Sequence, residues 1–240
     1  MTRVRLGELT RSEARLRAEA GALCVIPVGA LEQHGEHLPL ATDTLLVEEV
    51  CARAAPRAAG DVILAPTVWA GQSPHHVRLG VTVSLEPALL IAQLGAIVGE
   101  LRRWFVRVAV VNGHGGNRGW LAAFALEHRC PAVSYWELVD PDTLRELVPA
   151  DRGSPGHAGQ METSAMLAAL PALVGMAATA FEPIAQESDA LLYPEMGESG
   201  VLGDPGAATA ELGERLLDAA ANGVAAFFTS VPPIERTFSP

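Results

Sequence analysis

Residues able to do chemistry concentrate in four short stretches. The first is Gly29-Ala30-Leu31-Glu32-Gln33-His34-Gly35-Glu36-His37-Leu38-Pro39-Leu40-Ala41-Thr42-Asp43-Thr44, which offers Glu32, His34, Glu36, His37 and Asp43 as donors to a divalent cation. Glu32 and His34, two apart, project to the same side of an extended chain. Asp43 stands at the start of the next helix. Taken alone it reads as a helix cap, since aspartate is favoured there. The second stretch is Asn112-Gly113-His114-Gly115-Gly116-Asn117, a glycine-rich turn after an apolar run. Its glycines allow a sharp turn and close approach of a ligand, and the helix that follows presents free N–H groups to an oxyanion. A phosphate loop has no use for His114, whereas a metal centre does. The third is Gly156-His157-Ala158-Gly159-Gln160-Met161-Glu162-Thr163-Ser164. His157 and Glu162 lie five apart, so they converge only if His157 precedes the helix; a capping segment with a surface histidine is the alternative. The fourth, Gly71-Gln72-Ser73-Pro74-His75-His76, lies where the same mouth would be lined.

Six of the seven histidines fall in these stretches, and only His128 falls in a helical pattern. A mixed His/Asp/Glu set suits Zn(II), Mn(II) or Fe(II). Neither a GxSxG elbow nor a cysteine-centred one supplies a nucleophile.

All 17 basic residues are arginine. Without lysine there is no Schiff base and no P-loop lysine. The formal charge of -11 argues against a nucleic-acid backbone or an anionic membrane surface as partner. The three cysteines, Cys24, Cys51 and Cys130, have no CxxC spacing, a pattern of reducing compartments. Met1 to Ala22 lacks a signal-peptide core, and the apolar stretch from Ala165 to Phe181 is interrupted by Pro171. A cytoplasmic location is expected.

These stretches must be positioned by the elements between them. Thr10 with Glu13 is a capping box opening a helix to about Ala20. Leu23 to Val28, Val62 to Ala65, Val106 to Val111 and Ala132 to Trp136 read as strands. Leu45 to Ala55, Pro87 to Trp104, Trp120 to His128, Thr163 to Leu170 and Ala207 to Phe228 read as helices. Apolar strands alternating with helices imply a mostly parallel sheet covered on both faces, with ligands beyond the carboxyl ends of its strands. One α/β domain over 1–240 is expected, with Glu182 to Gly206 as a surface excursion or an oligomer contact.

The segments VGALEQHGEHLPLATDT, NGHGGN and HAGQMETS, in this order and spacing, resemble the creatininase (creatinine amidohydrolase) family over about Leu23 to Leu170. The resemblance implies a three-layer α/β/α fold, homo-oligomers that are often hexamers, and two divalent metal ions per chain. By it, Glu32 and His114 are similar to ligands of one metal and His34 to a ligand of the other. Asp43 resembles the bridging carboxylate and His157 the histidine that contacts substrate and moves protons. Ser73, His76, Gly115 and Gly116 would then face substrate. Creatininase proper has a glutamate ligand where this chain has Gly116, so Glu162 is expected to complete the second site and to share in catalysis. Glu36 replaces a proline usual in the motif, and His75 stands where many relatives have glutamate.

The expected chemistry is hydrolysis of a C–N amide bond (cyclic amide, formamide or peptide) by a metal-activated water, in a small molecule or short peptide, with His157 assisting proton transfer. Two other classes compete. A non-catalytic metal-binding scaffold is motivated by Gly116, and a phosphate-binding transferase by NGHGGN.

Overall fold

A computed structural model describes residues 3–149, 156–175 and 197–234. Four parallel strands form the sheet: β1 (Leu23–Val28), β2 (Val62–Leu64), β3 (Arg107–Asn112) and β4 (Ala132–Ser134), in the order β2-β1-β3-β4. Successive strand residues point to opposite faces, which divides the core in two. Leu23, Val25, Ala109 and Val111 pack on one side; Cys24, Ile26, Val28, Val108 and Val110 pack on the other.

The first face is covered by α2 (Thr42–Ala54), α5 (Pro141–Leu147), α6 (Gln160–Ala169) and α7 (Ala210–Ser230). The second is covered by α1 (Arg11–Glu19), α3 (Pro87–Leu101) and α4 (Arg118–Glu127). The expected three-layer α/β/α architecture is therefore present. The Thr10–Glu13 capping box forms as read from the sequence. On α7, a Cβ added to Gly213 would overlap the Ser164 carbonyl oxygen. This close crossing ties α7 to the helix that carries Glu162.

Several boundaries differ from expectation. The helix expected from Leu45 begins at Thr42, so Asp43 sits inside its first turn; the cap position is Ala41, with no side-chain cap bond. The strand expected to reach Trp136 ends at Ser134, because Tyr135–Leu138 wind into a 3-10 turn. α5 was not anticipated, although Asp140 caps it by accepting from the Thr143 N–H and Pro141 opens it. Most of the Glu182–Gly206 excursion lies outside the described residues. Its end does not behave as surface: Val201 and Leu202 are buried. His128 closes α4, its ring stacked on Phe124 at 4.9 Å between centroids, a packing role. Among the described residues no helix is long and apolar enough to cross a membrane.

Candidate metal centre

Each expected ligand arrives from the carboxyl end of a strand or from the helix after it. Beyond β1, the chain delivers Glu32 and His34 and then turns into α2, whose first turn supplies Asp43. All three are at most 2% exposed. Beyond β3, His114 is held by its neighbours. Its N–H donates to Asn112 Oδ1 at 3.1 Å, and Asn112 Nδ2 donates to the His114 carbonyl at 2.7 Å. Asn117 Nδ2 donates to the Gly29 carbonyl at 3.1 Å, while its Oδ1 accepts from the Gln72 N–H at 3.0 Å. The two asparagines of NGHGGN thus stitch together the loops after β1, β2 and β3.

His157 precedes α6, as convergence requires. Its N–H donates to the Leu202 carbonyl at 2.9 Å, and its carbonyl accepts from the Leu202 N–H at 2.7 Å. Ala158 then adopts φ 52°, a left-handed conformation costing about 1–2 kcal/mol for a residue with a Cβ. Two side chains hold it there. Glu162 Oε2 accepts from the Ala158 N–H at 2.5 Å, and His37 Nε2 donates to the Ala158 carbonyl at 3.1 Å. The kink turns His157 and Glu162 toward the same point.

The expected residues converge in two adjacent groups. Donor atoms of Glu32, Asp43 and His114 lie within 4.8 Å of one another, as do those of His34, His157 and Glu162. Asp43 stands between them, with Oδ2 3.0 Å from His114 Nδ1 and Oδ1 3.4 Å from His34 Nε2. Asp43 does not cap α2, whose cap position is Ala41, and its carboxylate instead faces both inward histidines. Two of the five candidates in the first stretch do not take part: Glu36 is exposed, and His37 is committed to Ala158 and Thr163.

Backbone carbonyls fix which ring nitrogen carries hydrogen. His34 Nδ1 faces the Glu32 carbonyl at 3.1 Å, His114 Nε2 the Gln72 carbonyl at 3.0 Å, and His157 Nε2 the Gln33 carbonyl at 2.8 Å. A carbonyl only accepts, so each of these nitrogens is the N–H. The other nitrogen of each ring points inward at a carboxylate: His34 Nε2 at Asp43 and, 3.9 Å away, at Glu162; His114 Nδ1 at Asp43; His157 Nδ1 at Glu32 Oε1, 3.6 Å away. Acceptor thus faces acceptor in a buried site. Both Glu32 oxygens, His34 Nε2 and Asp43 Oδ2 lack a hydrogen-bond partner. Protons or cations must stand between them. This outward N–H to a carbonyl, inward lone pair arrangement is how ligating histidines are usually oriented.

Electrostatics agree. Burial alone would depress the His34 imidazole, yet Asp43, Glu162 and Glu32 push it up to about 10. His114 likewise rises to about 9 against burial, through Glu32 and Asp43. Burial raises Glu32 and Glu162 to about 7. Asp43 is held well below the carboxylate range despite its burial, by His34 and His114. His157 is driven well below the usual histidine range by burial and by His34 and His76, so it is neutral.

In the loop after β2, Ser73 is fully buried with Oγ 3.1 Å from His114 Nε2. His76 is buried with Nε2 3.3 Å from Glu32 Oε1, and the His75 ring lies tilted against it at 4.0 Å between centroids. Gly115 is exposed. Gly116 is buried, and a Cβ there would overlap the Gln72 carbonyl oxygen that orients His114, so no side chain fits at that position.

The family model described as creatinine amidohydrolase matches residues 7–228. The chain belongs to the creatininase family. Among curated creatininase relatives, a mycofactocin precursor peptide peptidase of Mycolicibacterium smegmatis is 34% identical over 218 residues, covering 85% of this chain and 83% of the relative. A creatinine amidohydrolase of Pseudomonas putida is 31% identical over 247 residues, covering 92% and 94%. A solved creatininase in a manganese form superposes with a TM-score of 0.85 at 30% identity, covering 97% of this chain and all of that one. Membership of the creatininase family makes the chain a hydrolase, with candidate metal-binding Glu, Asp and His groups.

Sequence reasoning missed two residues of this creatininase site. Gln33 packs inside it and bonds to His76 and to the Gly200 carbonyl. Tyr135 is buried, its hydroxyl pushed well above its usual range by burial and by Glu162 and Asp43. Tyr135 directly follows β4, so the strand-end rule applied to the fourth strand would have found it. Gln33 carries no comparable signal.

Proposed function

We propose that this enzyme hydrolyses a C–N amide bond in a small molecule or short peptide, using two divalent cations, Zn, Mn or Fe. One would be held by Glu32, Asp43 and His114, the other by His34, Asp43 and Glu162. The observation that carries this reading is the set of buried acceptors facing one another around Asp43 without donors. When bound, such cations lower the pKa of a coordinated water to about 7 and polarise the substrate carbonyl.

The chain's own residues do the rest. His157, neutral and with its Nδ1 lone pair inward, accepts the proton released as water attacks and returns it to the departing nitrogen. Ser73 and His76 border the same space and position substrate. Near-complete burial of Glu32, Asp43 and His114 excludes bulk water, which strengthens each electrostatic contact. Glu162 replaces the glutamate that Gly116 cannot supply, which makes creatinine itself a poor candidate substrate. The similarity to a precursor peptide peptidase supports a peptide amide instead.

The test is removal and return of metal. Chelated protein is expected to be inactive and to regain activity as Zn, Mn or Fe is added back up to two equivalents per chain. Creatinine, a formamide and the precursor peptide of the mycobacterial relative are compared as substrates. Full hydrolysis by rigorously metal-free protein refutes the reading.

A further inference from the structure

Glu32, His76 and His157 form a third group whose donor atoms lie within 4.8 Å of one another, and by distance alone it resembles a further cation site. The hydrogens decide otherwise. Gln33 is anchored at both ends: its Oε1 accepts from the Gly35 N–H at 2.9 Å, and its Nε2 donates to the Gly200 carbonyl at 3.1 Å. An N–H only donates and a carbonyl only accepts, so the amide cannot be flipped. The same Nε2 lies 2.7 Å from His76 Nδ1. Facing an amide donor, His76 Nδ1 must be the bare nitrogen. The ring hydrogen is therefore on Nε2, pointing inward at Glu32. His157, 4.2 Å away ring to ring, is fixed the other way by the Gln33 main-chain carbonyl.

The geometry points to Gln33 as a positioning residue that sets opposite tautomers on two neighbouring histidines, its side-chain amide making His76 the inward donor while its carbonyl makes His157 the inward acceptor. The third group then holds no cation, because one of its three members presents a hydrogen. His76 presents a fixed N–H toward an oxygen of substrate, and His157 alone is left to take up a proton. This inference rests on the two-cation reading for its catalytic consequence but not for its geometry, since neither Gln33 nor His76 is assigned as a ligand.

The experiment is nitrogen-15 NMR of the full chain labelled at histidine, zinc-loaded and metal-free, with steady-state kinetics of the zinc-loaded protein. In the wild type, His76 is expected to show a protonated Nε2 and a bare Nδ1 in both forms. Gln33→Glu replaces the donor by an acceptor and is expected to move the hydrogen to Nδ1. It should lower kcat by about 10- to 100-fold, the range for loss of an outer partner, with KM little changed. Should that variant fail to fold, Gln33→Met removes the donor without adding charge and is expected to abolish the single tautomer. A wild-type His76 protonated on Nδ1 overturns the inference. So does a Gln33→Glu protein with unchanged tautomers, or one whose tautomer moves while kcat stays the same. If the chain binds no zinc yet His76 carries its hydrogen on Nε2, the two-cation reading fails and the assignment of tautomers stands.

Discussion

Asp43 is the residue on which both halves of the site depend. Its two oxygens face His114 and His34 separately, so an amide in its place would present an N–H to one of these two inward ring nitrogens. Asp43→Asn is expected to lower bound metal from two per chain to one or fewer. Activity should fall by more than the roughly 100-fold typical for losing an outer-shell partner. Glu162→Gln should cost one metal only, leaving the group of Glu32, Asp43 and His114 loaded; elemental analysis of both variants separates these outcomes. At this scale much was legible. Glu32, His34, His114, His157 and Glu162 could be picked by type because few other roles suit buried imidazoles and carboxylates at strand ends. Type alone could not separate His34 from His37, three residues on. One presents a bare nitrogen to Asp43, and the other spends its N–H on a strained carbonyl, a difference made by α6 rather than by the local sequence.

Elements were legible wherever apolar runs alternate, because strands buried on both faces have little other way to read. The four strands and most helices sit within a few residues of expectation. What failed were the ends, and the ends carry the site. The start of α2 three residues earlier than expected puts Asp43 inside the first turn rather than at the cap position, which leaves its carboxylate free to face His34 and His114. Tyr135 leaves β4 for a 3-10 turn in which it is buried, a tertiary outcome that local β propensity cannot show. The crossing of α7 over α6 was equally invisible, since Gly213 in a helix interior looks merely unfavourable. Gly213→Ala is expected to destabilise by about 1–3 kcal/mol through overpacking against the Ser164 carbonyl, despite the better helix propensity of alanine. Thermal unfolding measures it. A rise in Tm would mean that the two helices separate at no cost.

For the molecule as a whole, the site turns acidity into conditional stability. His34 and His114 have pKa values raised from the ordinary 6.5 to about 10 and about 9 when folded. Groups raised on folding stabilise fully below the unfolded value and lose that contribution as pH rises through the folded one. Metal-free protein should therefore lose stability between about pH 7 and pH 10. The neutral histidines His75 and His76 are lowered on folding, chiefly by burial, and act only on the acid side of 6.5. Metal replaces the protons, so loaded protein should show the opposite trend, its gain in Tm over the metal-free form growing with pH. Denaturation series on both forms across that range check the sign, and parallel curves would show that no cation occupies the histidine pair.

The pairing of His157 with Leu202 sets an order of events in biosynthesis. The last histidine of the centre receives both of its main-chain partners from a residue 45 positions downstream. The sheet, Asp43 and His114 are all synthesised well before that residue appears. α7, which covers the same sheet face as α2 and α6, also follows Leu202 in the chain, so neither that face nor the loop bearing His157 can be completed until this last part of the chain has been made. Closure of the site is thus tied to the last elements of the chain, and truncation before Leu202 is expected to remove both main-chain partners of His157.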